Sequence, residues 1–239
     1  MKKVYLHVPE LTGWHGVLVD LLEKMDNSGL IDAADEINLC ANGVRSNMEK
    51  FLLPILRSNS KIKLVHVAGD ATKWEWPTIN KIKHDADSSN TDDMICYTHL
   101  KGLSPARSND PKSIDWRNYL VYWTLERWED SVEKIEEGYE LAGVNWLTAP
   151  FPHLSGNSWW ATSNYIRRLP VLHDPGTIEW GSDSEYIPNV KLDEGNWRFE
   201  QEAWIGSSKP KVAEMHYSHN KADPSFHYNN QYPASNYRK

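Results

Sequence analysis

Long apolar runs are what this chain most lacks. None approaches the roughly 20 residues that span a bilayer, and the opening "MKKVYLHV" is too short for a signal peptide, so a cytoplasmic protein with no membrane span is expected. Cysteine is nearly absent as well. Cys40 and Cys96 each sit inside an apolar, strand-like run without metal-site spacing, which predicts two buried free thiols suited to a reducing compartment. Positive charge is in deficit, with 26 Lys and Arg against 33 Asp and Glu and a net charge of −7. That excludes the broad basic field of a nucleic-acid binder, so a phosphate-bearing substrate has to meet a local cluster of cations. Phenylalanine is scarce, 4 residues against 12 Trp and 11 Tyr. A core alone would draw on Phe and Leu, whereas Trp and Tyr suit places where a flat apolar face must also offer a polar edge, as a sugar site does.

What is present is a regular alternation. "KVYLHV" (3–8), "INLCA" (37–41), "IKLVHVA" (62–68) and "MICYTHL" (94–100) read as buried strands. Between them lie a helix carrying Trp14, Val17, Leu18, Leu21, Leu22 and Met25 at 3–4 spacing up to Gly29, and a short helix opened by a Ser46/Glu49 capping box, which Pro54 must kink or end. The helix "PTINKIKHDA" (77–86) follows, with proline at its start. Strands alternating with helices predict an α/β fold with a mostly parallel, Rossmann-like central sheet flanked by helices. The second half predicts one long helix between Ser113 and Gly138, a strand over 140–148 and a short helix "SNYIRRL" stopped by Pro170. From about 171 the chain is irregular, with a last structured piece at "WRFEQEAWIG" (197–206). Residues 1–206 form the expected domain, and 207–239 a polar tail whose aromatics anchor it on or over the site.

Ligands of an α/β sheet sit at the carboxyl ends of its strands. Those ends read "HVPELTGW" (7–14), "ANG" (41–43), "AGD" (68–70) and "THLKGLS" (98–104). In the last, His99 and Lys101 alternate onto one side and Gly102 frees the turn beyond. Together they make a small cationic pole suited to a phosphate or diphosphate.

From here the chain resembles a known family. "YTHLKGLS", "DWRNYLVYW", "LAGVNW", "PHLSGNSWWATSNYIRRLP" and "RFEQEAWIG", in that order, are similar to the small GT-A-type glycosyltransferases of bacterial polysaccharide loci and large DNA viruses. The resemblance implies a GT-A-like fold and transfer of a sugar from a nucleotide-diphosphate sugar, UDP- or GDP-linked, to a glycan hydroxyl acceptor. It implies that His99, Lys101 and Gly102 face the diphosphate, with His7, Pro9 and Thr12 at the first strand end and Thr78, Asn80 and Lys81 at a helix start serving the nucleotide. The segment holding His153, Ser155, Gly156, Asn157, Trp159 and Trp160 would shape the sugar and acceptor site. Adjacent strand residues point to opposite faces, so one of the two tryptophans is expected in the core and the other as a platform for a pyranose. Inverting transfer needs a carboxylate to take the acceptor's proton, which the resemblance places at Glu202 and next at Glu200.

The family's D-x-D pair for Mn²⁺ or Mg²⁺ is replaced here by His99-Leu100-Lys101. Asp85, Asp87 and His216 are the remaining metal candidates, His216 pairing with Lys221 in a tail that faintly matches a diphosphate-gripping motif. Two other functions fit parts of the chain. "HVPELTG" echoes the phosphate-cradling loop of sulfotransferases, though Glu10 and Leu11 stand where that loop carries lysine. The Trp and Tyr content fits a non-catalytic glycan-binding module, which is more often all-β.

Overall fold

Four apolar runs of six to eight residues, each followed by an amphipathic helix or turn, assemble the first half of the computed structural model, which describes residues 1–70, 73–104, 107–193, 195–218, 223 and 225–238. Strands β1 (Lys2–Pro9), β2 (Glu36–Asn42), β3 (Ile62–Ala68) and β4 (Met94–His99) lie parallel. They are connected through α1 (Trp14–Asn27) with the short α2 (Leu30–Ala33), through α3 (Arg45–Ser58) and through α4 (Trp76–Ser88). The second half adds β5 (Leu141–Val144), a small hairpin of β6 (Trp146–Leu147) and β7 (His153–Leu154), then β8 (Trp159–Thr162) and β9 (Val212–His216). The seven-stranded sheet runs β3-β2-β1-β4-β8-β5-β9, antiparallel only where β8 meets β4 and β5. The expected Rossmann-like, mostly parallel sheet is therefore present, with the irregular region after α7 (Ser163–Arg168) interrupted by α8 (Phe199–Ala203) and the short α9 (Phe226–Asn229).

Both faces of the sheet are covered. Along β4, Cys96 faces a core with α1 and Trp128, while Ile95 and Tyr97 face a second core with α4 and α7. The period of two carries on to the strand ends, so His7 and His99 fall on the α4 side with Tyr5 and Tyr97. Both cysteines are buried free thiols, as expected, and burial raises each thiol's pKa.

Several local expectations give way to longer-range contacts. Ser46 does not cap α3; the helix begins at Arg45, after Val44. Glu10 reaches across from the β1–α1 loop instead, its carboxylate accepting the Val44 N–H at 2.5 Å and Asn47 Nδ2 at 2.8 Å. Glu49 pairs with Arg45 one turn back. Pro54 does not end α3, which runs on to Ser58; only Met48 and Leu52 of this helix are buried, so water can serve the carbonyl that proline leaves without a donor. The single long helix expected over 113–138 is α5 (Pro111–Val121), a π-helical turn over Tyr122–Glu126 and α6 (Trp128–Glu136). The π turn frees the Thr124 carbonyl, which accepts the Trp160 indole N–H at 2.8 Å. The strand expected over 140–148 breaks at Asn145, whose φ is 55°. β9 was not expected at all: it lies beyond residue 206 and closes the sheet beside β5. The aromatic tail packs against α5, with Tyr232, Tyr237 and Phe226 clustered on Trp116 and Tyr119.

Candidate functional site

A cleft of about 860 Å³ opens at the carboxyl ends of β1 and β4. Its floor holds His7, His99, Glu75 and Glu202, and among the described residues its rims come from Asp70, 73–74, 100–104, Arg107, Pro175, Trp180, 197–199 and Tyr228. His7 and His99 are register partners on adjacent strands. Burial lowers the His7 pKa to about 4, with the charge of His99 lowering it further and that of Glu75 opposing. Burial lowers His99 to about 3, helped by Lys101 and opposed by Glu202. Both rings are thus neutral near pH 7. The His7 Nδ1 pairs with Thr78 Oγ1 at 2.8 Å, so Thr78 lies beneath the cleft and fixes the ring rather than meeting a ligand.

The loop after β4 is built to present Lys101. Gly102 takes φ 78°, and Arg117 donates to the Lys101 carbonyl at 3.0 Å. The Lys101 ammonium lies 4.0 Å from the Trp116 ring centre, Arg107 lies 4.3 Å from Tyr228, and Arg198 stacks at 5.2 Å on Trp74. Ring faces hold these cations without neutralising them, so a local positive cluster stands in an acidic protein. Lys73, also in the wall, is paired to Asp174 at 2.9 Å.

Glu75 is the hub of the floor, and the sequence analysis did not find it. Its Oε2 accepts the Tyr97 hydroxyl at 2.6 Å and Asn157 Nδ2 at 2.7 Å, and lies 3.5 Å from His99 Nδ1. Its backbone N–H donates to Gln201 Oε1 at 2.8 Å. The only local signal was its place just ahead of Pro77, at the start of α4 where a carboxylate suits the helix end. Asn157 in turn takes φ 48° and accepts the Trp159 indole N–H at 3.0 Å.

Of the residues proposed from the sequence, the cleft gathers His7, Pro9, His99, Lys101, Gly102 and Glu202. Thr12 is exposed on its loop, and neither it nor Asn80 lines the cleft. Lys81 is paired to Asp85 at 2.5 Å. His153 and Ser155 are buried behind the wall, His153 holding the Phe151 carbonyl and Ser155 donating its N–H to Asn145. Gly156, at φ 93°, brings its backbone against Leu120 and the Trp116 indole rather than against an open ligand site. The expected Trp platform is absent: Trp159 and Trp160 are both fully buried, one in each core, because β8 is covered on both faces. Exposed ring surface at the cleft comes instead from Trp74 and Trp180. Glu200 is buried too, accepting Ser184 Oγ at 2.6 Å and the Glu185 N–H at 3.1 Å, and so ties down the 184–190 loop instead of meeting a substrate.

The metal candidates do not converge. Asp85 holds Lys81 and the Tyr5 hydroxyl, Asp87 holds Lys83, and His216 bonds Tyr119 and stacks on Trp123. Lys221 lies outside the described residues. In the cleft, Glu75 Oε2 and His7 Nδ1 are already engaged, and among the described residues no three His, Cys, Asp or Glu side chains are grouped to hold an ion. Among the described residues, the cleft therefore offers no grouped ligand set for a resident divalent cation.

A family model matches residues 22–237. The chain belongs to the family described as a domain of unknown function, DUF8361. The DUF8361 segment takes in every cleft residue except His7, Pro9 and Leu11. No curated protein matches the chain. Among solved structures, the chain is similar to 4-diphosphocytidyl-2C-methyl-D-erythritol synthase from Anaerococcus prevotii DSM 20548, at 10% identity and a TM-score of 0.43, over 92% of this chain and 90% of that one. Among the described residues of this DUF8361 member, no helix is long and apolar enough to cross a membrane.

Proposed function

We propose that this DUF8361 protein is a GT-A-type glycosyltransferase that moves a sugar from a nucleotide-diphosphate donor to a glycan hydroxyl. One observation carries the reading. In a protein of net charge −7, Lys101, Arg107 and Arg198 are held on aromatic faces around a cleft whose floor also presents a carboxylate, Glu202. The cations suit a leaving diphosphate, and the ring faces of Trp74 and Trp180 suit a nucleobase or pyranose.

In an inverting transfer the acceptor oxygen bonds to the anomeric carbon as the bond to the diphosphate oxygen breaks. The acceptor's proton passes to the Glu202 carboxylate, and the additional negative charge that develops on the diphosphate as its bond to the sugar breaks is met by Lys101 and its neighbouring arginines. Neutral His7 and His99 keep the floor polar without adding charge that would hold the product. A sulfotransferase-like use of the β1 loop is disfavoured, since Glu10 and Leu11 stand where that loop carries lysine, and a carboxylate in the loop repels a phosphate.

The test is thermal stability with UDP, GDP, CMP and a 3′,5′-bisphosphate nucleotide, each with and without Mn²⁺. A ligand at 100 times its dissociation constant adds about 2.7 kcal/mol. Stabilisation by UDP or GDP supports the reading. Stabilisation by the bisphosphate alone moves it to the sulfotransferase class, and silence throughout, with glycans binding, moves it to a glycan-binding module.

A further inference from the structure

Unpartnered polar atoms collect in this cleft. His99 Nδ1, Trp116 Nε1 and Gln201 Nε2 are buried without a hydrogen-bond partner, and all three residues line it. A buried donor left unpaired is destabilising and asks for an explanation. Gln201 gives the sharpest one. The residue is 2% exposed, and its Oε1 is fixed by the Glu75 N–H at 2.8 Å. A backbone N–H only donates, so the amide orientation is settled: the oxygen faces Glu75 and the NH₂ group is the free end. Beside it, the contacts of the Glu75 carboxylate with Tyr97, Asn157 and His99 all use Oε2, which leaves Oε1 for the cleft.

We propose that Gln201 Nε2 and Glu75 Oε1 form a subsite for two neighbouring hydroxyl groups of a sugar ring, the amide donating to one and the carboxylate accepting from the other. Each hydroxyl is both donor and acceptor, so a vicinal diol matches a fixed donor next to a fixed acceptor. The bridging diphosphate of a sugar nucleotide has no proton to give Glu75 and is repelled by its charge. The subsite therefore selects an uncharged polyol surface, apart from the diphosphate-facing cations. The inference deepens the transferase reading and rests on it for the identity of the whole substrate. The diol itself belongs either to the donor sugar or to the acceptor.

The experiment is calorimetric titration of wild type, Gln201→Leu and Gln201→Glu with UDP, GDP, UDP-glucose and GDP-mannose. It is paired with saturation-transfer NMR on free glucose, galactose and mannose. Gln201→Glu keeps an oxygen for the Glu75 N–H while losing the amide donor, and thermal melts of both unliganded variants, checked against wild type, establish that each is folded before binding is read. Expected is a sugar nucleotide that binds wild type more tightly than its nucleoside diphosphate, an advantage that falls roughly tenfold in both variants while the nucleoside diphosphate is unaffected. Free-sugar binding that disappears in both variants, with nucleotides bound but indifferent to the sugar, places the diol on the acceptor. The same Gln201-dependent sugar binding with no nucleotide bound overturns the transferase reading and keeps the subsite. Nucleotide and sugar affinities that ignore both variants overturn the subsite alone. Absence of binding by either class overturns both.

Discussion

His7 and His99 stand side by side on β1 and β4, and burial holds both rings neutral in the folded protein, with pKa values of about 4 and about 3. The unfolded chain takes up their protons first, near 6.5. Folding stability is therefore unaffected by these groups above about pH 6.5 and declines as the pH falls from there towards 4. For His7 the decline amounts to something on the order of 3 kcal/mol. Urea unfolding at pH 7 and pH 5 should show it, and His7→Gln should reduce the difference to the share that His99 contributes. An equal loss in the variant would place the pH sensitivity elsewhere.

Lys101→Met should weaken binding of a nucleoside diphosphate by tenfold or more, in line with the roughly 1.5–3 kcal/mol typical of charged hydrogen bonds. Melting temperature without ligand should hardly move, because the ammonium contacts a ring face at the cleft instead of sitting in a core. Raising the salt should erode wild-type affinity more than that of the variant.

Glu202→Gln separates chemistry from binding. If its carboxylate takes the acceptor's proton, transfer falls about 10²- to 10⁴-fold while donor affinity stays within a few-fold. Single-turnover assays with a radiolabelled sugar nucleotide would read this, and near-normal turnover would remove Glu202 from the role. Glu200→Gln should act differently, loosening the 184–190 loop through its lost bonds to Ser184 and Glu185.

Trp159→Ala and Trp160→Ala should each cost about 3–5 kcal/mol of stability, the usual range for emptying a core of a large aromatic ring. Trp160 also gives up its bond to the Thr124 carbonyl. Trp74→Ala, at an exposed position on the cleft, should leave stability nearly intact and weaken ligand binding. A reversal of this pattern in denaturant melts would restore the ring-platform role to β8.

Residues whose placement follows from strand period were legible in the sequence. The ends of β1 and β4 could be read from alternation, and with them His7, His99 and Lys101. Glu75 and Gln201 could not, since the bond that joins them crosses 126 positions and leaves no local pattern. The same holds for Glu10, which displaced a plausible Ser46 cap from a loop more than thirty residues away. The tryptophan pair misled for a geometric reason: alternation shows that two neighbours face opposite ways, but not whether the second face is also covered. β9 escaped because five residues with an exposed Glu214 in their middle carry little apolar signal.

The strand order has a consequence for how the chain emerges during synthesis. β1 to β4 are complete by residue 99, yet the strand that covers the free edge of β4 spans residues 159–162, after α5 and α6. β5 is made in between and pairs only with β8 and β9, both still to come. For some sixty residues the ribosome therefore holds a parallel half-sheet with an open edge, the kind of surface on which foreign strands add. The segment whose arrival closes that edge is β8, which carries the two tryptophans.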